Sequence, residues 1–140
     1  AELPPEKLIE LCQRYGIRTV VDFRMQGPDT EAESRALERI GVRHVHLPTE
    51  QVPDPGVVER FLEVVSSEEN LPVLIHCEHG VGRTGVHAAV YRMEFQGWSN
   101  NQARWEAMLL SGFDSFQRNS PKGRFVESYR PRGDTARSPE

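Results

Sequence analysis

LPVLIHCEHGVGRTG, residues 71–85, moves from an apolar run into a cysteine, through two glycines, to Arg-Thr-Gly. LPVLIHC (71–77) has the length and β-branched content of a buried strand, with Pro72 at its start. Gly80 and Gly82 break that pattern, and TGVHAAVYRMEFQG (84–97) continues as a helix. A cysteine is thus delivered by a strand to a glycine loop that enters a helix N-terminus. Backbone N–H groups there point at a bound anion, and the helix dipole favours negative charge. The same field stabilises a thiolate, the nucleophilic form of cysteine. Arg83 closes the loop with a planar fork suited to two phosphate oxygens.

CQRYGIRT (12–19) carries the same Cys-x5-Arg-Thr spacing, and Cys12 and Cys77 are the only cysteines. Its elements run in the opposite order. Residues 4–15 place Leu8, Leu11, Cys12 and Tyr15 at helical spacing, with Gly16 as the stop. Cys12 then lies near a negative helix C-terminus, which disfavours a thiolate. It reads as a small core residue.

Outward from these stretches, IRTVVDF (17–23) and VRHVHL (42–47) read as further strands. TEAESRALERIG (30–41) reads as a helix opened by a Thr30–Glu33 capping box, and another helix runs from about Asp54 to Ser66. Ser99 reads as the N-cap of a helix through Trp105, Met108 and Leu109. Tyr91, Met93, Phe95, Trp98, Trp105 and Met108 recur at helical spacings as core or rim packing. Alternating strands and helices imply an α/β fold, a central, mostly parallel sheet flanked by helices. Ligands in such sheets bind beyond the carboxyl ends of the strands, here after Phe23, Leu47 and Ile75.

The 140 residues suit one domain, expected over 1–130, with PRGDTARSPE (131–140) a disordered tail. A net charge of −4 argues against a nucleic-acid surface. No apolar run approaches the ~20 residues of a membrane span. Two cysteines make no disulfide framework, so a cytoplasmic, reduced setting is expected. The chain opens on Ala, as after removal of an initiator Met, a leader or an upstream domain. His44 and His46 alternate along one strand and invite a metal, but no third ligand has suitable spacing, so neither metal nor cofactor is expected.

IHCEHGVGRTG (75–85) resembles the signature loop of the protein tyrosine phosphatase superfamily. With TVVDFR, GVRHVHLP and YRMEFQGWSNNQARWEAM, the likeness is to small, bacterial-type dual-specificity phosphatases across roughly residues 15–115. The resemblance implies a four- to five-stranded sheet with the phosphate loop between a central strand and a helix. It implies Cys77 as nucleophile, forming a phosphocysteine. The backbone of Glu78, His79, Gly80, Val81, Gly82 and Arg83 would bind phosphate, with Arg83 stabilising the transition state. Thr84 would assist departure of the sulfur, or simply cap the helix; His76 would order the loop.

A general acid is expected from the loop PTEQVPDPG (48–56). Glu50 lies near the strand end and is favoured. Asp54 is the alternative, although Asp-Pro-Gly also reads as a helix start with Asp54 as N-cap. Arg24 either adds positive potential near the pocket or pairs with Asp22. The expected substrate is a phosphotyrosine phosphoprotein or phosphopeptide, with phosphoserine and phosphothreonine as extensions, acted on by a monomer. An inositol phosphate or phosphoinositide phosphatase is a related reading, weakened because the loop offers no lysine. A non-catalytic phosphate-binding module is the reading from another class; the presence of both Cys77 and Arg83 counts against it.

Overall fold

Leu8 and Cys12 on one helix, Val20 on a strand, and Leu37 and Val42 around a second helix bury their side chains together. That apolar cluster is the seed of the first of two units. The computed structural model describes residues 4–77 and 82–132. Its two compact units comprise residues 1–83 and 84–140.

In the first unit the chain runs α1 (Pro5–Tyr15), β1 (Thr19–Asp22), α2 (Pro28–Arg39), β2 (Arg43–His46), α3 (Pro55–Ser66), a 3-10 turn (Glu68–Asn70) and β3 (Val73–His76). Helix α1 ends at Gly16, whose φ of 65° is the left-handed conformation expected of a glycine stop. The three strands form one parallel sheet in the order β2-β1-β3. Asp22 pairs with His46 on one side and His76 on the other, so all three strands end at one level. Phe23 continues past that level and stacks obliquely on Phe61 of α3, with ring centroids 5.9 Å apart. The α/β fold with a parallel sheet and helices is as expected. The strand count is three rather than four to five, because every regular element described after β3 is helical.

The second unit holds α4 (Arg83–Phe95, whose first residue closes the first unit), α5 (Asn100–Leu110) and α6 (Pro121–Ser128). Ser99 caps α5 as expected, its hydroxyl accepting from the Gln102 N–H while the Gln102 side chain accepts from the Ser99 N–H. Val86, Ala89, Met93, Ala103, Ala107, Met108, Phe116 and Val126 bury together as the core. Of the aromatic and Met positions read as packing, Met93 and Met108 are core, whereas Phe95 and Trp105 are exposed. Helix α6 was not expected; Gly123 and its charged neighbours blur the apolar period. Among the described residues, no helix is long and apolar enough to cross a membrane.

Gly123 is required by space rather than by φ. A Cβ there would lie 1.8 Å from the Gln117 carbonyl oxygen. Gly56, in the first turn of α3, has nothing within 4 Å. Gly123→Ala should therefore destabilise by about 2–3 kcal/mol or more, because backbone cannot yield as a side chain can. Gly56→Ala should be neutral or slightly stabilising, because it lowers the entropy of the unfolded chain. Urea unfolding of the two variants checks this contrast; equal midpoints would refute it.

Candidate active site

Five polar side chains converge where the three strands end. The Asp22 carboxylate accepts the Arg24 backbone N–H (3.0 Å) and Nε–H (3.0 Å) at Oδ1, and Arg24 Nη2–H (2.9 Å) at Oδ2. Arg24 Nη2 also donates to Glu33 Oε1 at 3.0 Å. His44 Nε2 lies 3.2 Å from both Asp22 Oδ2 and Glu33 Oε2. His76 Nε2 lies 2.7 Å from Glu33 Oε2, and an ionised carboxylate can only accept, so that nitrogen carries the proton. Asp22 and Glu33 are 0% and 1% exposed.

Burial would push both carboxyls up, but hydrogen bonds from His44 and Arg24 hold Asp22 well below its usual range. Glu33 is likewise held down against burial by its bonds to His44 and His76. Burial would lower His44, yet hydrogen bonds and charge from Asp22 and Glu33 raise it to about 9. At neutral pH two carboxylates therefore face two cations, Arg24 and protonated His44.

This arrangement revises several expectations. Arg24 pairs with Asp22, the alternative to a free cation at the pocket. Glu33 is not a capping glutamate: α2 starts earlier, at Pro28, and Thr30 makes the N-terminal bonds, accepting from the Gly27 N–H and donating to the Gly27 carbonyl. His44 does acquire companions, since oxygens of Asp22 and Glu33 lie within 4.8 Å of each other and of its ring nitrogen. Those ligands came from other elements, so spacing along one strand could not reveal them. Both carboxylates are already engaged by a guanidinium, which makes the group an ion-pair cluster rather than a ready cation site. His46 turns to the Arg24 carbonyl at 2.5 Å. The signal for Glu33 was its helical spacing from Thr30, Ala36 and Leu37, which puts it on the buried face.

Cys77 directly follows His76 and is buried, 4% exposed. Glu78, His79, Gly80 and Val81 lie outside the described residues, as do residues 133–140 of the C-terminal tail. Gly82 is buried, and α4 begins at Arg83. Arg83 Nη1 donates to the carbonyls of Phe23 (3.4 Å) and Thr49 (3.3 Å). Thr49 N–H also donates to the Phe23 carbonyl, so the strand end, the loop after β2 and Arg83 meet at one oxygen.

Glu50 follows Thr49 and is exposed; Asp54 is exposed at the N-cap position of α3. Asp54 caps with its backbone carbonyl, accepting from Val57 and Val58, and its side chain makes no capping bond. Thr84 lies within α4's first turn, one residue past its start, not at the N-cap. Its hydroxyl oxygen is buried without a hydrogen-bond partner among the described residues. Cys12 is a core residue, its thiol pushed up by burial and by the charge of Glu33.

Residues 6–123 match the model of a family described as DSP-PTPase phosphatase fused to NAD+ kinase. The chain belongs to that family. The dual specificity protein phosphatase TpbA of Pseudomonas aeruginosa strain UCBPP-PA14 is 40% identical over 114 residues, covering 79% of this chain and 49% of TpbA. The chain thus spans about half the length of the curated relatives it matches. A crystal structure of a P. aeruginosa TpbA variant in complex with pTyr aligns at 31% identity and a TM-score of 0.72, over 96% of this chain and 80% of that one. The core catalytic domain of the S. cerevisiae PP-IP phosphatase SIW14 shares the fold, with a TM-score of 0.79 at 20% identity, over 97% of this chain and 82% of that one.

This ion cluster carries a pH signature. His44 is raised from its ordinary 6.5 to about 9, so its contribution is complete below about pH 6.5 and is lost as pH rises through about 9. Asp22 and Glu33 are lowered, so theirs is present above about pH 5 and lost on acidification. Stability should be highest between about pH 5 and 7 and fall by on the order of 2 kcal/mol by pH 10. His44→Gln should be less stable at pH 6 and show a flatter alkaline decline. Urea midpoints at pH 6, 8 and 10 test this, and an equally steep decline without His44 would refute it.

Proposed function

We propose that this chain is a cysteine-dependent phosphatase whose catalytic domain spans residues 1–130 and which hydrolyses phosphotyrosine in a phosphoprotein or phosphopeptide. The observation that carries the reading is Arg83 tied by one edge of its guanidinium to Phe23 and Thr49, on the segment that begins at the buried Cys77. An arginine whose guanidinium is anchored to the backbone in this way is pre-organised to face an oxyanion. The pTyr complex of a 31%-identical relative supports the same substrate class.

In this mechanism the Cys77 thiolate attacks phosphorus, forming the S–P bond as the P–O bond to the leaving group breaks. The backbone of residues 78–83 and the Arg83 guanidinium hold the three equatorial oxygens. Glu50 gives its proton to the departing oxygen. Water, deprotonated by Glu50, then attacks the phosphocysteine and releases phosphate, with Thr84 assisting the sulfur's departure. Glu50 is preferred to Asp54 because it adjoins Thr49, whose carbonyl Arg83 holds. Asp54 sits four residues further on, at the start of α3.

Cation supply favours a simple monoester over a polyphosphate. The segments 23–27 and 47–54, which leave the ends of β1 and β2, carry one basic residue, Arg24. It is buried against Asp22 and Glu33. An inositol polyphosphate would need further positive charge around the loop.

Cys77→Ser should abolish hydrolysis of p-nitrophenyl phosphate while a phosphotyrosine peptide still binds. Orthovanadate should inhibit the parent; turnover by Cys77→Ser at the parent's rate would end the mechanism. On a substrate with a poor leaving group, Glu50→Gln should lower kcat by about 10²–10⁴-fold and erase the basic limb of the pH profile. Asp54→Asn should stay within about threefold of the parent, since its side chain holds neither cap nor proton; the reverse ranking would assign the acid to Asp54.

A further inference from the structure

Glu33 sits 44 positions before Cys77, on a helix that precedes the second strand, yet its carboxylate reaches both ends of the phosphate-loop segment, one directly through His76 and the other indirectly through Arg24. At the leading end, Oε2 takes the Nε2–H of His76, the residue before Cys77 (2.7 Å). At the trailing end, Oε1 takes Nη2–H of Arg24, whose backbone N–H and side chain also grip Asp22. Asp22 and Arg24 flank Phe23, so their closed ring fixes the peptide carbonyl that receives Arg83. That carbonyl also receives the Thr49 N–H, which sets the start of the loop carrying Glu50.

We propose that Glu33 is a positioning residue of the phosphatase reaction, holding Cys77 through His76 and Arg83 through the Asp22–Arg24 ring, so that nucleophile and oxyanion grip share one anchor. The proposal rests on the phosphatase reading above. Its physical basis is saturation. Each Glu33 oxygen already accepts a hydrogen bond from a buried donor, Oε1 from Arg24 and Oε2 from His76, with half-buried His44 also beside Oε2. His76 is 7% exposed, and its Nδ1 finds no hydrogen-bond partner among the described residues, so Glu33 is the side chain that orients the ring. A glutamine has the same shape, but its amide NH2 must face Arg24 or the histidines, donor against donor. Either orientation breaks one arm of the anchor while leaving the hydrophobic core of the unit untouched.

The test is a double-mutant cycle on kcat for p-nitrophenyl phosphate, at a temperature where circular dichroism shows every variant folded. Glu33→Gln should lower kcat by about 10- to 100-fold, the scale of a misplacement near 1 Å, with KM changed less than about threefold. His76→Asn, whose shorter amide does not reach Glu33, should produce a loss of similar size. Because one acts through the other, the double variant should fall no more than about threefold below the weaker single variant. A purely structural role would lower the unfolding midpoint but leave kcat of the folded fraction unchanged. Glu33→Gln with parental kcat, or losses that multiply in the double variant, overturns the proposal.

Should Glu33→Gln not fold, Glu33→Asp keeps the charge on an arm one methylene shorter and enters the same cycle; parental kcat there overturns the proposal equally. Iodoacetate alkylation of Cys77, followed by mass spectrometry, reports on positioning without turnover. If the parent hydrolyses no phosphate ester, the phosphatase reading fails. A Cys77 alkylation rate altered by Glu33→Gln and not altered further by His76→Asn still supports the anchor, and an unaltered rate removes it.

Discussion

The first unit depends on a constraint that packing alone does not impose: two carboxylates, Asp22 and Glu33, lie in its interior with essentially no solvent. Burying an ionised group costs several kcal/mol unless partners replace its water. Here the partners come from every element near the strand ends: Arg24 just past β1, His44 from β2, His76 from β3. Removing any of them leaves a charge or a donor stranded. The strand ends are therefore held in register by directional bonds, and a slip of one residue would turn a whole set of side chains to the wrong face.

The alternation of a single extended segment explains how that cluster and the chemistry share so little space. Asp22 and Arg24 point the same way, into the ions, while Phe23 points the other way, onto Phe61 of α3. The peptide between them is clamped from both faces. Its carbonyl lies at the strand's edge, where it accepts from Arg83 and Thr49. Apolar packing on one face and ion pairing on the other thus converge on one backbone oxygen, and through it on the residue proposed to grip phosphate.

The order of elements around each cysteine was legible in the sequence, because helix ends and glycine stops are local. CQRYGIRT is a helix end leading into a strand, with Cys12 buried in the core, and CEHGVGRT follows a strand. What stayed hidden is long-range. Thr30-x-x-Glu33 has the spacing of a capping box, so a local rule absorbed the glutamate that the fold uses elsewhere. The histidines of β2 looked like an incomplete metal site because the partners of His44 stand on α2 and β1, and that of His46 just past β1. The need for Gly123 in helix α6 is spatial as well: it lets the chain pass the Gln117 carbonyl, which no local pattern shows.

Charge balance explains how a cluster of this kind is compatible with the proposed phosphate site. A thiolate attacking a phosphate dianion already gathers negative charge, and a further net charge behind it would work against binding. Two unit charges ~10 Å apart at an effective dielectric near 20 interact by about 1.7 kcal/mol, more than a tenfold effect on affinity. With Arg24 and protonated His44 opposite Asp22 and Glu33, the cluster supplies geometry at nearly zero net charge. When His44 loses its proton, near pH 9, the group becomes net negative. The field that loosens the fold would then also oppose an anion at the proposed site, so stability and anion affinity would decline together from one titration.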